Sequence, residues 1–285
     1  MMNQIKISII IPIYNEEGSI EEVIAGLRIY LNQECEIIAV NDGSNDRSQE
    51  LLEKMPDIKV VHHSENQGYG AALKSGIREA QGEYILIIDA DGSYPTESIA
   101  ELINQKERYQ MVVGARIKPQ SQIPALRKPA KWLLNQLANY LTGTKIPDLN
   151  SGLRIIRKNI LNRFINLLPN GFSFTTTITL ALLTNGYQVK YVPVDYYKRK
   201  GKSKIRPVRD TLNFLQLIIR TTLYFRPFKV FLPASLIILA AAIIIGVYSI
   251  LFAPRFMDTT FVVLCATALQ TFFFGLLAEL IVKRI

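Results

Sequence analysis

From Val230 to Pro254 the chain carries no charged residue, and from Thr259 to Ala278 it again carries none. A helix needs about 20 apolar residues to cross a hydrocarbon core of about 30 Å, so each run is long enough for one span. In lipid a segment must satisfy its own backbone polar groups, which a helix does and an open strand does not. This predicts a two-helix transmembrane region over 230–285, leaving the rest of the chain to build its own core. The opening MMNQIKISIIIPIYNEE has too short an apolar stretch, and the wrong flanks, for a signal peptide.

The net charge of +9 is concentrated beside the first span. Lys198 to Lys229 holds ten Lys or Arg against one acid, Asp210, which equals the whole excess. A basic segment placed there favours a cytoplasmic, anionic membrane surface over nucleic acid. Only Arg255 and Asp258 mark the loop between the runs, and Lys283 and Arg284 follow the second. The expected protein is integral to a bacterial or archaeal plasma membrane, with the domain before the spans and both termini cytoplasmic. Cys35 and Cys265 have no plausible bridge, which suits a reducing compartment.

The first 115 residues alternate short apolar runs with amphipathic segments: ISIIIPI then Gly18 to Leu31, CEIIAV then Asn45 to Met55, IKVVH then Tyr69 to Ala80, YILIID then Thr96 to Arg108, and YQMVVGAR. Such alternation builds an α/β domain, a mostly parallel sheet with helices on both faces, whose ligands gather at the C-terminal strand ends. Those ends read YNEE, NDGS and DADGS, so acidic and small polar residues converge on one edge. After Arg116 the pattern breaks. An amphipathic helix is expected over about 129–141, with Leu133, Leu134, Leu137 and Leu141 on one face, and a second over 206–229, next to the spans. The first can equally lie in the membrane interface or pack on the core, and the second is expected in the interface.

Asp89 and Asp91 lie two apart at the end of an apolar strand, so extended backbone points both side chains the same way, about 7 Å apart. Two carboxylates this close repel unless a cation sits between them, and Mg²⁺ or Mn²⁺ suits an all-oxygen site that also receives phosphates. Asp42 ends the second strand. It can accept hydrogen bonds from a ribose or base, or cap the next helix. GYGAALKSG lacks the spacing of a dinucleotide loop and does not open the first βα unit, which argues against a nicotinamide enzyme. His62 and His63 end a strand and are expected at the surface rather than in catalysis.

IPIYNEE (11–17), NDGSND (41–46), ENQGYGAALKSGIREAQGEYILIIDADGSYP (65–95), GAR (114–116), DLNSGLRIIRK (148–158) and KRKGKSK (198–204) occur in that order. Together they resemble the family 2 glycosyltransferases of GT-A fold, specifically the polyprenyl-phosphate glycosyltransferases similar to dolichyl-phosphate mannose synthase. The resemblance covers most of residues 5–205 and implies a Rossmann-like GT-A domain over 1–205. It also implies a nucleotide-sugar donor of the GDP-mannose or UDP-glucose type, a polyprenyl monophosphate acceptor and inversion at the sugar. On that likeness Pro12, Tyr14, Glu16 and Asp42 border the nucleotide, and Asp89 and Asp91 hold Mg²⁺ or Mn²⁺ and the diphosphate. Asp148, Ser151 and Gly152 line the sugar side, Arg116 faces the acceptor phosphate with Arg127 and Lys131, and Lys198, Arg199, Ser203 and Lys204 reach phosphates from a mobile loop. Where relatives carry Gln two residues after the second Asp, this chain has Ser93, which serves the metal through water or not at all. Where they carry Ser four residues after Arg127, it has Lys131.

A phosphate monoester is already largely an anion at neutral pH, its second pKa being near ~6, so such an acceptor needs no strong protein base. Transfer to a lipid hydroxyl such as diacylglycerol would need one, with Asp148 the first candidate. A non-catalytic lipid-phosphate-binding protein is a third class, against which the Asp89 and Asp91 pair speaks. The sequence leaves the sugar, the lipid length and any homo-oligomer open.

Overall fold

Seven strands among the described residues join one sheet: β1 (Ile7–Ile13), β2 (Cys35–Asp42), β3 (Lys59–His63), β4 (Tyr84–Ile87), β5 (Met111–Ala115), β6 (Arg154–Arg157) and β7 (Val189–Pro193), in the order β3-β2-β1-β4-β6-β5-β7. This computed structural model describes residues 5–31, 34–117, 128–197, 219–220, 222–252 and 258–284, and side chains within those ranges except 128–134 and 283–284. Arg127, Lys198, Arg199, Ser203, Lys204, the Lys131 side chain and most of the 206–229 helix expected from the sequence lie outside the described residues.

The strands of the first half are parallel, as the alternation requires. β1 pairs with β2 in the register Ile7↔Cys35 to Ile13↔Asn41, and with β4 from Ile7↔Tyr84 to Ile10↔Ile87. Every residue of β1 is buried, because helices cover both faces. Ile9 and Ile11 sit in one core with residues of α1 (Ile20–Leu27) and α4 (Ser98–Gln105). On the other face α3 (Tyr69–Glu79) lies so close that a Cβ on Gly76 would meet Ile10 at 2.6 Å. α2 (Ser48–Glu53) follows β2.

Pro12 explains where the sheet opens. Along a parallel strand alternate residues bond the same neighbour, and Ile10 accepts from Ile88 N at 3.2 Å, so Pro12 also faces the β4 side. Proline has no N–H to offer there. β4 pairing ends at Ile10↔Ile87, the two chains diverge, and a crevice forms at the point where strand order reverses. Asp89 and Asp91 stand at its mouth.

Beyond β4 the pattern changes. β6 runs antiparallel to both β4 and β5, and β5 pairs with β7 in parallel. The antiparallel strand brings its first residue, Arg154, opposite Ile87, at the sheet edge that carries Asp89. α5 (Lys128–Thr142), α6 (Lys158–Phe164) and α7 (Phe174–Thr184) complete this half, with α5 in the span expected. α7 is buried all round, and Thr177, Thr179 and Thr184 donate their hydroxyls to carbonyls four residues back, so no polar group is stranded.

The chain divides into two units, Met1–Phe214 and Leu215–Ile285. In the second, α8 (Phe228–Phe252) and α9 (Asp258–Arg284) pack against each other. α8 buries small residues, Ser235, Ala242, Gly246 and Ser249, and keeps large ones such as Ile237, Ile244 and Ile250 exposed. Mean hydropathies of 2.8 and 2.1 make both helices long and apolar enough to cross a membrane, and small residues at the seam with large ones outside are what lipid favours.

Candidate active site

The loops after β1 and β2 are laced together by hydrogen bonds. Asn15 N donates to Ser44 Oγ at 3.0 Å, Asn45 N to Asn15 Oδ1 at 2.7 Å, Glu16 N to Ser48 Oγ at 3.0 Å and Glu17 N to Asp46 Oδ2 at 3.1 Å. Tyr14 and Glu16 are half-buried on this edge, and Pro12 is buried beneath it. Asp42 is buried, and its oxygens accept from Gln67 N at 2.9 Å and Gly68 N at 2.8 Å, with His63 Nδ1 at 2.7 Å. It therefore ties the start of α3 to the end of β2. Asp46, one residue before the N-cap Arg47 of α2, accepts Ser48 N at 2.9 Å. His63, expected at the surface, is instead buried between Asp42 and Ser75 Oγ at 2.8 Å. His62 beside it is exposed, as expected, and only the His63 side chain turns inward beneath the start of α3.

The crevice itself is built around Asp89. Its Oδ1 accepts the Tyr69 hydroxyl at 2.9 Å, and Oδ2 lies against Gly152, where any Cβ would collide with it. Gly152 thus belongs to the site by making room for a carboxylate. Burial and the neighbouring Asp91 charge push the Asp89 pKa up to about 6, while the Tyr69 hydrogen bond, Arg116 and Arg154 pull the other way. Asp91 is 8% exposed, and its Oδ1 accepts Ser93 N at 3.0 Å. The Ser93 hydroxyl is buried without a hydrogen-bond partner. Two carboxylates and an unpartnered hydroxyl fit a hard divalent cation whose remaining ligands are water and phosphate. Among the described residues no group of three His, Cys, Asp or Glu could hold a metal alone.

The far wall is held by arginines. Arg116 Nε and Nη2 donate to the two oxygens of Asp148 at 2.7 and 2.8 Å, its backbone N adds a 3.0 Å bond, and its guanidinium lies 5.2 Å from the Tyr196 ring centre. Burial works against the Arg116 charge, yet Tyr94 and Asp148 hold its pKa well above the usual value. Ser151 Oγ donates to Gly114 O at 2.5 Å and meets Tyr94 Oη at 3.1 Å, and Tyr94 Oη accepts Gly152 N at 2.9 Å. Arg154 is fully buried. It donates to the carbonyls of Ser151 and Thr175 and to Thr179 Oγ1, so it clamps the loop on which Asp89 rests.

Residues 8–165 match the family described as Glycosyl transferase family 2, which is more than half of the chain. The chain belongs to glycosyl transferase family 2. Residues 226–283 of this glycosyltransferase match a second description, GtrB C-terminal hairpin, in agreement with α8 and α9. It is 29% identical over 203 residues to a dolichyl-phosphate hexose transferase of Haloferax volcanii, covering 70% of this chain and 87% of that protein. It is 31% identical over 299 residues to an undecaprenyl-phosphate 4-deoxy-4-formamido-L-arabinose transferase of Pseudomonas savastanoi, covering 96% and 84%. Of two transferases with that same description, from Photorhabdus laumondii and Pseudomonas fluorescens, it spans 58% and 61%. Among solved structures, glucosyl-3-phosphoglycerate synthase of Mycobacterium tuberculosis, crystallised with Mn²⁺, UDP and phosphoglyceric acid, superposes with a TM-score of 0.60 at 19% identity over 76% of this chain and 78% of that one. The glycosyltransferase therefore has the expected GT-A arrangement, and its apolar hairpin fits membrane association.

Of the residues singled out in the sequence, Asp89, Asp91, Ser93, Arg116, Asp148, Ser151 and Gly152 meet around one crevice of this glycosyltransferase, linked by the contacts above. Pro12, Tyr14, Glu16 and Asp42 lie at the ends of β1 and β2. Sequence reasoning missed Tyr69, Tyr94 and Arg154. Tyr69 sits in GYGAALKSG, which the sequence marks as an amphipathic segment and part of the 65–95 motif without singling out the tyrosine, and Tyr94 in DGSYP just after the aspartates.

Proposed function

We propose that this chain moves one sugar from a nucleotide sugar to a polyprenyl monophosphate, with inversion at the anomeric carbon. The observation that carries the proposal is the Asp89 and Asp91 pair at the opening between β1 and β4, in a chain 31% identical over almost its whole length to an undecaprenyl-phosphate sugar transferase. Asp89, Asp91 and Ser93 would hold Mg²⁺ or Mn²⁺, which when bound neutralises the leaving diphosphate. Tyr69 and Gly152 fix the Asp89 carboxylate in place. Pro12, Tyr14, Glu16 and Asp42 border the nucleotide, and Ser151 and Gly152 the sugar. Arg116, Arg127 and Lys131 attract the acceptor phosphate, and Lys198, Arg199, Ser203 and Lys204 the diphosphate. An oxygen of the acceptor phosphate forms the new bond to the anomeric carbon as the bond to the nucleoside diphosphate breaks, and the electron pair leaves with the diphosphate. At neutral pH no proton need be removed from the acceptor first.

A hydroxyl acceptor is disfavoured because Asp148, the base it would call on, has both oxygens engaged by Arg116. The charge pattern supports a hairpin with both termini and the transferase domain in the cytoplasm. In a background without Cys35 and Cys265, external thiol labelling should reach Asp258→Cys and spare Lys202→Cys and Arg284→Cys. Labelling of Lys202→Cys would invert the topology. The activity is tested by giving the purified protein labelled nucleotide sugars with undecaprenyl phosphate, dolichyl phosphate or diacylglycerol. An acid-labile sugar phosphate lipid is expected, and glycosylation of diacylglycerol alone would overturn the acceptor assignment.

A further inference from the structure

α3 begins at the crevice with Tyr69 and carries a second concentration of charge along its length. Arg78 lies nine residues further on, roughly 13 Å at about 1.5 Å per residue. Between α3 and α6 runs a groove of about 570 Å³, walled by Lys74, Arg78, Lys158, Asn162, Asn166 and Asn170 and floored by isoleucines. Its wall contains no Asp or Glu. Lys158 follows β6 at the end away from Arg154, and its backbone N bonds Glu83 O, just before β4 begins. The groove therefore reaches the opposite edge of the sheet from Asp89.

The three cations are held by neutral groups. Lys74 Nζ donates to Asn170 Oδ1 at 2.9 Å, Arg78 Nη2 to Ser75 Oγ at 2.7 Å and Lys158 Nζ to Ala80 O at 2.5 Å. Among the described residues none of the three pairs with a carboxylate. Glu79, the nearest acid in sequence, turns to Lys59 at 2.6 Å. Lys74 and Lys158 are half-buried, and burial together with the Arg78 charge lowers the Lys74 pKa. Like charges gathered along one groove repel, and an anion offsets that cost. Arginine offers a planar fork to phosphate oxygens and lysine a point charge, while three asparagine amides add neutral donors. The volume is that of a small-molecule site rather than of a single ion.

We propose that this groove binds a small soluble anion bearing one or more phosphate groups, at a site separate from the donor crevice. The test uses the full chain in phosphatidylcholine nanodiscs, with EDTA present, titrated with inorganic pyrophosphate by calorimetry. Saturable binding is expected, weakened at least tenfold in Arg78→Gln and in Lys158→Gln and unchanged in Asp89→Asn. Arg78 is exposed, so its variant keeps the fold, and an unchanged melting temperature would verify that. Equal affinity in wild type and Arg78→Gln would overturn the proposal, as would loss of binding in Asp89→Asn instead. If pyrophosphate fails to bind while nanodiscs containing phosphatidic acid alone raise the melting temperature in an Arg78-dependent way, the occupant is a lipid and the soluble-anion assignment is wrong.

Discussion

The two sides of the opening between β1 and β4 solve one problem, a buried carboxylate, in different ways. On the β1–β2–β3 side Asp42 is satisfied by the backbone N–H groups of Gln67 and Gly68 and by His63, so the fold itself supplies the donors. On the β6–β5–β7 side Asp148 also accepts the backbone N–H groups of Arg116 and Asn150, but both its oxygens are held by the Arg116 guanidinium, and Arg154 stands buried behind the Ser151–Gly152 loop. The first side is a scaffold fixed by its chain path. The second is a charged assembly in which each group depends on another, and it is where an anionic acceptor and a departing diphosphate would be received.

That difference is open to measurement, beginning with stability. Arg116→Ala leaves Asp148 buried without its fork, and breaking such a pair from one side should destabilise the domain by about 3 kcal/mol. His63→Ala on the other side removes one of three partners and should cost about 1 kcal/mol. Denaturant midpoints that move equally for both would erase the distinction. In catalysis, Asp89→Asn and Asp91→Asn should each lower transfer about a hundredfold, roughly 2.7 kcal/mol of transition-state stabilisation, with melting temperature retained. Near wild-type rates in either would show that the pair does not carry the reaction.

Tyr69→Phe keeps the ring stacked on Phe172, 5.7 Å between centroids, and removes only the hydroxyl on Asp89. A loss of about fivefold in kcat, about 1 kcal/mol, is expected, with most of it recovered at high Mn²⁺ if Tyr69 only orients the carboxylate. A smaller effect concerns pH. Asp89 has a folded pKa raised to about 6, so the metal-free protein binds its proton more tightly folded than unfolded. Stability should fall as pH rises from the ordinary carboxylate range through about 6 and level off above. Asp89→Asn should flatten that slope, and an unchanged slope in the variant would assign it to other groups.

The same contrast explains what the sequence disclosed. Up to Ala115 the backbone repeats one unit, and apolar runs such as ISIIIPI and YILII end in polar turns, so strands, parallel pairing and the aspartates at the rim were all legible. RIIR, the heart of β6, has an arginine at each end and only two apolar residues between, too short for periodicity to mark. Its antiparallel course depends on pairing with β4 and β5, which no local pattern encodes. Buried Arg154 reads as a surface residue until the carbonyls of Ser151 and Thr175 are seen around it. His63 misled for the same reason, since a strand end is exposed only if the next loop does not fold back over it. Tyr69 lies twenty residues before Asp89, and only the fold brings them to 2.9 Å.

On the proposed mechanism transfer depends on a divalent cation held at the mouth of the β1/β4 opening by Asp89 and Asp91. The most direct measurement is sugar transfer to undecaprenyl phosphate by the wild-type protein in excess EDTA, followed by readdition of Mg²⁺ or Mn²⁺. Transfer should stop with the chelator and return with the metal in wild type, but not return in Asp91→Asn. Undiminished transfer in excess EDTA would contradict the account.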